Sequence, residues 1–348
     1  MNSTTSPTAA SGTVGGRITN SNGVPVSGAV VNLSGSQSRK TISDANGNYQ
    51  FLNVETNGFY TVTPSRANFT FSPAQRSFSL VGDNTDAAFT GSSIGDNANP
   101  LDTPEYFVRQ QYVDILGREP DEGGFNYWSN QILACNGTPD CIGSQRVNVA
   151  AAFFVENEFK QTGSFIYDVY SGALGRRPDF AEYVSDHQHV IAGPNLDAEK
   201  SAYALSFVQR PEFTAKYQSA TTAESFVDAL LQTVQQASGA DLSSQRDSLI
   251  ADYHNGADFN QSRALVLNDI AGNSTFSQAQ YNKAFVLVEY FGYLQRNPDQ
   301  GGYDFWLNVI NNREVGNYRG MVCAFITSTE YQQRFSSVIT HTNAECGP

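Results

Sequence analysis

The sequence contains few charged residues, a shortage of basic ones and no long apolar run, and each shortage argues against a class of protein. Only 16% of the 348 residues are charged, and 21 lysines and arginines stand against 34 aspartates and glutamates, for a net charge of -13. Because nucleic-acid binding begins with a basic surface, we expect no nucleic-acid partner. The most apolar stretch, residues 284–294, contains Glu289 and is shorter than the ~18 residues of a membrane span. We therefore expect a buried core helix there and no membrane span.

The chain also lacks the short motifs that mark common enzyme classes. The patterns G-x-S-x-G and H-E-x-x-H and the Walker and Rossmann patterns are all missing from the sequence. His187 and His189 lie two residues apart, so on a helix they would face different directions. We interpret them as solvated polar residues rather than metal ligands. The sequence thus predicts a non-enzymatic protein without a cofactor or a metal site.

Four cysteines point to a location outside the cytosol. Cys135 and Cys141 flank the turn-forming run N-G-T-P-D, across which two sulfurs can meet, and their spacing differs from the C-x2-C of zinc modules. We predict one disulfide between them and a second between Cys323 and Cys346, with free buried thiols as the alternative. Disulfides persist in oxidising compartments, so we expect a secreted, extracellular or cell-surface protein. The first residues lack the features of a secretory signal, so secretion would require a signal removed before Met1.

The first third of the chain has the pattern of an all-β domain. Residues 13–91 contain seven short β-branched or alternating runs separated by N-G, S-G and G-D-N turn signals. They predict a small antiparallel β-sandwich of the transthyretin or immunoglobulin kind. Residues 1–12, rich in serine and threonine, are expected to form a flexible tail, and residues 92–104 a linker.

Within this region, G-R-I-T-N-S-N-G-V-P-V-S-G-A-V-V-N-L and T-I-S-D-A-N-G-N-Y-Q-F resemble the carboxypeptidase regulatory-like domain. The resemblance covers residues 14–90. It implies a transthyretin-like sandwich that serves as an accessory module and carries no catalytic residues.

The run D-A-N-G-N at 44–48 has some features of a calcium loop. An EF-hand loop, however, needs glycine where this chain has Tyr49, and it needs a helix on each side. We favour a hairpin turn in which Asp44 and Gly47 shape the backbone while Tyr49 and Phe51 enter the core.

From residue 105 onward the apolar residues recur with a helical period, which predicts an all-α domain over residues 105–348. Four segments of this domain align on an aspartate, at intervals of 58, 62 and 58 residues, and each ends on an aromatic residue. The aspartates are Asp121, Asp179, Asp241 and Asp299, and the closing aromatics are Phe159, Phe213, Phe276 and Tyr331. The fold class is therefore multidomain β plus α, with a β-sandwich followed by about four degenerate helical repeats.

The repeat motif is best preserved in the first and last copies, G-R-E-P-D-E-G-G-F-N-Y-W at 117–128 and Q-R-N-P-D-Q-G-G-Y-D-F-W at 295–306. The shared positions are Arg118, Pro120, Asp121, Gly124 and Trp128, and then Arg296, Pro298, Asp299, Gly302 and Trp306.

Each position of the motif has a structural interpretation. The first glycine ends one helix, proline prevents its continuation, and aspartate caps the next helix. The later glycines predict close approach of another backbone, and tryptophan covers the junction. Arginine would bond carbonyls at the helix end or pair with a carboxylate. As a calcium or catalytic site the motif is poorer, because Asp121 and its neighbour Glu122 would point apart.

The outer copies, with the closing runs V-A-A-A-F-F-V-E-N-E-F and F-I-T-S-T-E-Y-Q-Q-R-F, resemble the bacterial family called domain of unknown function 4214 over residues 105–335. The resemblance implies helical repeat modules of secreted and surface proteins, similar in layout to phycobilisome linker domains, and no catalytic activity. The middle copies depart from the motif, since the second lacks the glycines and tryptophan and the third lacks the arginine and proline.

Together these features predict a secreted structural protein that forms a homo-oligomer or homopolymer, as a subunit of an extracellular filament, layer or matrix. The N-terminal tail and the sandwich are the expected joining elements. The alternative is a cell-surface adhesin that binds a glycan or another cell-envelope partner through exposed aromatic residues.

Overall fold

A computed structural model describes residues 10–346 of the chain. Within them, eight strands precede fifteen α-helices, which confirms the predicted order of a β part and an all-α part. Residues 1–9 of the predicted tail lie outside the described residues, whereas the last two residues of that segment, 11 and 12, begin the first strand. The strands are β1 Ser11–Thr19, β2 Val30–Gly35, β3 Arg39–Ile42, β4 Asn48–Glu55, β5 Phe59–Ser65, β6 Phe69–Ser72, β7 Arg76–Ser79 and β8 Phe89–Ser93.

The helices are mostly short and follow one another closely. They are α1 Pro104–Leu116, α2 Glu122–Leu133, α3 Pro139–Val155, α4 Asn157–Gln161, α5 Gly163–Leu174, α6 Phe180–His187, α7 Leu196–Phe207, α8 Pro211–Lys216, α9 Ala223–Ser238, α10 Arg246–His254, α11 Phe259–Ala271, α12 Ser274–Glu289, α13 Gln300–Asn308, α14 Tyr318–Ile326 and α15 Thr329–Gln333. A π-helical turn, Tyr290–Leu294, extends α12.

The strands form two four-stranded sheets with the orders β4-β1-β8-β6 and β3-β2-β5-β7. Their inner faces enclose a fully buried core that includes Val14, Phe51 and Val62. The predicted sandwich is confirmed, with one difference in strand direction. Strands β1 and β8 pair in parallel, at Ile18 with Phe89, while the other named pairs are antiparallel.

Strand β3 is the strand that the sequence did not predict. Its residues R-K-T-I show no apolar alternation, because its two basic side chains make ion pairs instead of entering the core. Arg39 donates to both carboxylate oxygens of Glu122 at the start of α2, and Lys40 Nζ lies 2.7 Å from Glu105 Oε1 in α1. The charged strand therefore joins the sandwich to two helices of the same compact unit.

The hairpin turn at 44–48 forms as predicted. Asp44 Oδ1 accepts from the backbone N–H groups of Asn46 at 2.9 Å and Asn48 at 2.7 Å, and Gly47 has φ of +76°. Tyr49 is 4% exposed and Phe51 fully buried, so both rings enter the core.

The chain divides into two compact units whose boundaries differ from the change between strands and helices. Of the described residues, the first unit comprises 10–113, 119–149 and 326–346, and the second 114–118 and 150–325. The segment predicted as a linker lies in the first unit, where Asp96 accepts hydrogen bonds from the Ser336 and Ser337 hydroxyls. The sandwich, α1 up to Val113, α2 and the C-terminal segment from residue 326 thus belong to one body.

In the second unit, residues 284–288 have no solvent exposure, which confirms the predicted buried core helix. The following π-helical turn packs tightly, since a Cβ at Gly292 would lie 2.7 Å from Ile115 Cδ1. None of the helices within residues 10–346 is long and apolar enough to cross a membrane.

Each helix that precedes a copy of the motif ends on a residue in the left-handed conformation. These residues are Gly117, Gly175, Gly239 and Gln295, with φ of +66°, +74°, +77° and +52°. Gly239 lies two residues from Asp241, whereas the other three precede their aspartates by four. The third copy is therefore shifted by two residues from the predicted alignment.

Gln295 occupies the left-handed position at which the other copies have glycine. Substitutions at this residue therefore test whether the left-handed backbone is strained there. The left-handed conformation costs a residue with a Cβ about 1 to 2 kcal/mol, while glycine loses more entropy on folding. We expect Gln295→Gly to raise the free energy of unfolding by about 1 kcal/mol relative to Gln295→Ala, measured by urea unfolding. A glycine variant less stable than the alanine variant would show that the left-handed backbone carries no strain here.

Candidate functional site

The first and last copies of the repeat motif are the strongest sequence signal in the chain, and their aspartates cap helices. Asp121 Oδ1 accepts from the N–H of Gly124 at 2.8 Å, and Asp299 Oδ1 accepts from that of Gly302 at the same distance. Asp179 caps α6 in the same way. Each of these aspartates caps the N-terminus of the helix that follows it, as the sequence predicts.

The glycines of the motif make room for a side chain rather than for a backbone, so that part of the prediction is wrong. A Cβ at Gly124 would lie 2.2 Å from the hydroxyl oxygen of Tyr112, and one at Gly302 would lie 2.5 Å from that of Tyr290. The two tyrosines are themselves 178 residues apart, as the two motifs are. The phenol is therefore a further member of the repeat.

An arginine of the motif pairs with a glutamate beside the closing aromatic of the same copy. Arg118 Nε and Nη2 donate to the two oxygens of Glu158 at 2.6 and 2.8 Å. In the second copy Arg176 donates to both oxygens of Glu212 at 2.8 and 2.5 Å. We call these two bidentate pairs the Arg–Glu clamps.

The clamp was only half predicted, although the sequence contained its signal. The closing runs E-N-E-F, R-P-E-F and S-T-E-Y each have glutamate before the aromatic, whereas the third has Thr275. That copy also lacks the arginine, having Ser238 or Ala240 in its place depending on the alignment. The joint loss of both partners in one copy indicates that they act together.

All four closing aromatics are completely buried. Phe159, Phe213, Phe276 and Tyr331 each have 0% exposure. Their burial supports the division into four copies, including the degenerate third one, because each copy ends at the same kind of core contact.

The tryptophans are only partly buried, and each has an exposed aromatic neighbour. Tyr127 is 58% exposed, and its ring lies 4.8 Å from that of Trp128 at an angle of 78°. Phe305 is 49% exposed, and its ring lies 5.2 Å from that of Trp306 at 77°. We call these the aromatic pairs. One is in each compact unit, at the same motif position.

The second copy places a buried acid where the first and last copies have tryptophan. Asp186 Oδ2 accepts from the hydroxyls of Tyr170 and Tyr203, each at 2.9 Å, and Arg210 contacts both carboxylate oxygens at 2.9 and 2.6 Å. Because all of these hydrogen bonds are made within the second unit, the Asp186 carboxylate is a structural group in the core of that unit.

His187 is buried, so its interpretation as a solvated residue is wrong. It is 6% exposed, burial lowers its pKa to about 4, and a Cβ at Gly117 would lie 3.0 Å from its Nδ1. His189 lies in the turn after α6 and is exposed, as expected for a solvated polar residue. The pattern D-H-Q-H gave no signal that one imidazole fills space beside a left-handed glycine. Within residues 10–346, no three histidines, cysteines or acids come close enough to hold a metal ion.

Two buried carboxyls in the second unit have unsatisfied oxygens. Asp168 accepts from the Ser277 hydroxyl at 2.7 Å through Oδ2, while its Oδ1 and both oxygens of Glu289 have no hydrogen-bond partner. Burial raises the pKa of Asp168 to about 8 and that of Glu289 well above its usual value. For both groups the cause is desolvation, which disfavours the charged form, and the value for Asp168 favours its protonated form near pH 7.

The predicted disulfide between Cys135 and Cys141 is present, with Cα atoms 5.5 Å apart. Cys323 and Cys346 are also disulfide-bonded, and no cysteine within residues 10–346 is free.

A β-sandwich joined to helical repeats, with caps, clamps and aromatic pairs as its recurring features, defines the protein as a repeat protein with an accessory sandwich. Comparison with family models agrees with the sequence resemblances. Residues 13–90 match the model of the carboxypeptidase regulatory-like domain, and residues 97–163 and 266–335 match the model of the family called domain of unknown function (DUF4214). Searches of the curated proteins and of the solved structures found no significant match.

The Arg–Glu clamp can be tested by a double-mutant cycle. The Arg118–Glu158 pair is bidentate and both side chains are 22% exposed, so we expect Arg118→Ala and Glu158→Ala to couple by about 1 to 3 kcal/mol in unfolding free energy. As a control, the Arg246–Asp228 pair, 38% and 54% exposed, should couple by less than ~1 kcal/mol. Equal coupling energies in the two cycles would show that the clamp stabilises the fold no more than an exposed ion pair does.

The protonated state of Asp168 predicts a pH dependence. Its pKa is about 8 in the folded protein and 3.8 ordinarily, so the folded state binds the extra proton between these values, and stability is lost as the pH rises from about 4 through about 8. Asp168→Asn, which keeps an acceptor for Ser277, should make this loss shallower by up to ~1.4 kcal/mol per pH unit. Asp247→Asn, whose carboxyl is 99% exposed, should follow the wild type. Identical pH profiles for all three proteins would contradict a protonated Asp168.

Proposed function

We propose that the protein is a secreted, non-enzymatic structural protein whose copies associate into an extracellular filament, layer or matrix. The observation that carries this proposal is the occurrence of an exposed aromatic pair at the same motif position in each of two compact units. A chain with two equivalent contact surfaces can bind two neighbours, and two neighbours per subunit are the minimum for an open polymer.

The chemistry of the pairs favours a protein contact. Aromatic residues are enriched in the buried centres of interfaces, where their large rings lose little conformational entropy. Tyr127 and Phe305 are about half exposed and already held at fixed angles by their neighbours. Covering both rings would therefore gain apolar burial at a small ordering cost.

The charge of the chain sets the conditions for such an assembly. A net charge of -13 makes copies repel one another, and salt screens that repulsion. We therefore expect assembly to be promoted by moderate salt. The disulfides support an extracellular location, because such bonds persist in oxidising compartments.

A glycan-binding adhesin is the second candidate, because the same exposed rings can stack on the apolar faces of sugars. It would predict a monomer at every protein concentration, with glycan-array binding that depends on Tyr127 and Phe305.

The predicted role of the N-terminal tail in joining copies can be tested separately. Deletion of residues 1–9 leaves β1 intact and should weaken assembly if the tail joins copies.

The aromatic pairs predict distinct products for single and double substitutions. If each pair contacts its own equivalent on another copy, Tyr127→Ser and Phe305→Ser should each stop assembly at dimers, and the double variant should be monomeric. If the two pairs contact each other, each single variant should be monomeric, and a mixture of the two should give heterodimers. Sedimentation velocity and negative-stain electron microscopy distinguish these outcomes.

A matched control for these variants is Phe259→Ser, which removes another ring that is 51% exposed and lies outside the pairs. It should assemble like the wild type. Assembly unaffected by the Tyr127 and Phe305 substitutions, or a wild-type protein that stays monomeric at high concentration and moderate salt, would refute the proposal.

A further inference from the structure

The second unit contains a half-open cavity of about 770 Å³, away from the repeat motif. Side chains from α4, α5, α7, α12 and the first residue of α14 line it. Its volume lies in the range of sites that bind small molecules. All of its lining residues belong to one compact unit, so its shape does not depend on the position of the other unit.

The cavity reverses the charge balance of the chain. Acidic residues outnumber basic ones by 34 to 21 overall, yet the lining contains Lys160 and Lys200 and no aspartate or glutamate. The buried carboxyl of Asp168 accepts from the lining Ser277, and burial raises its pKa to about 8. The cavity is therefore a positive site in an acidic protein.

Lys200 is the decisive residue of this site. It is 8% exposed, its ammonium lies 4.8 Å from the centre of the Phe165 ring, and it donates to Gln161 Oε1. Among residues 10–346, no carboxylate forms a salt bridge with either Lys200 or Lys160. Asp197 acts on Lys200 from beyond salt-bridge distance, yet burial still lowers the pKa of the ammonium. Burying a cation without a directly paired counter-ion is costly, and an anionic ligand in the cavity would offset that cost.

The remaining walls are suited to sugar rings. Tyr281 and Tyr318 lie edge to face at 5.6 Å, and each is fixed by its hydroxyl, which donates to the Phe154 carbonyl at 2.9 Å and to Asn282 Oδ1 at 2.6 Å respectively. Lining amides such as Gln278 supply both donors and acceptors. Aromatic faces beside amides match the apolar faces and hydroxyls of a saccharide.

We propose that this cavity binds an acidic oligosaccharide, with a uronate carboxylate paired to Lys200 and Lys160 and a sugar ring against Tyr281 and Tyr318. This inference goes beyond the proposed self-association and does not depend on it, because none of the lining residues belongs to an aromatic pair.

Isothermal titration of the full chain with trigalacturonic acid tests the proposal, with maltotriose as the neutral probe and sodium acetate as the simple anion. We expect saturable binding of trigalacturonic acid, at least tenfold weaker binding of maltotriose, and no competition by acetate at equal concentration. Lys200→Met keeps the apolar stem and should weaken binding at least tenfold, as should Lys160→Gln, while Lys216→Gln, an exposed lysine outside the cavity, should bind like the wild type.

Thermal unfolding of each variant shows whether it is folded. If Lys200→Met does not fold, Lys160→Gln decides the matter alone, because Lys160 is exposed. No binding by the wild type, unchanged binding in Lys160→Gln, or equal binding of maltotriose would overturn the proposal. Displacement by equimolar acetate would also overturn it, since the site would then recognise an anion and not a saccharide. Assembly assays give a separate readout, so failure here leaves the self-association proposal standing.

Discussion

The helical part of this protein depends on the complete burial of one aromatic ring at the end of each repeat copy. Phe159, Phe213, Phe276 and Tyr331 have no exposure, and each therefore fixes the helix that carries it against the core. In the first two copies the residue before the aromatic is a glutamate, and it accepts two hydrogen bonds from the motif arginine. The start and the end of a copy are thereby held together, and the intervening helices can vary.

The helix caps and the closing aromatics could be predicted from the sequence because both depend on residues that are close together in the chain. An aspartate after proline is a helix cap in any context, and the closing aromatics recur at a countable period. What could not be predicted depends on residues distant in the chain. The hydroxyl of Tyr112 above Gly124, the burial of His187 against Gly117, and the parallel pairing of β1 with β8 each need the three-dimensional neighbour to be known. Strand β3 was not predicted for the same reason, since its arginine and lysine are paired with Glu122 and Glu105, which are distant in the chain.

Comparison of the copies separates structural positions from those free to serve another purpose. The second copy keeps the cap and the clamp but replaces the tryptophan with Asp186, whose four hydrogen bonds are internal. A copy can therefore fold without an aromatic pair. In the outer copies Tyr127 and Phe305 remain about half exposed, which folding alone does not require. Exposed aromatic rings at one position in two units support the proposed contact between copies.

The sandwich gives a further reason to assign an external role to α2. Arg39 of β3 binds Glu122 in the first turn of this helix, and Asn126 donates to the Lys40 carbonyl one turn later at 3.3 Å. These contacts hold the face of α2 next to the sandwich and leave Tyr127, the next residue, exposed. An accessory domain attached in this way fixes the orientation of the helix that presents the aromatic pair. Fixing that orientation before contact would lower the entropy lost on association, which is the physical contribution the sandwich would make to the proposed assembly.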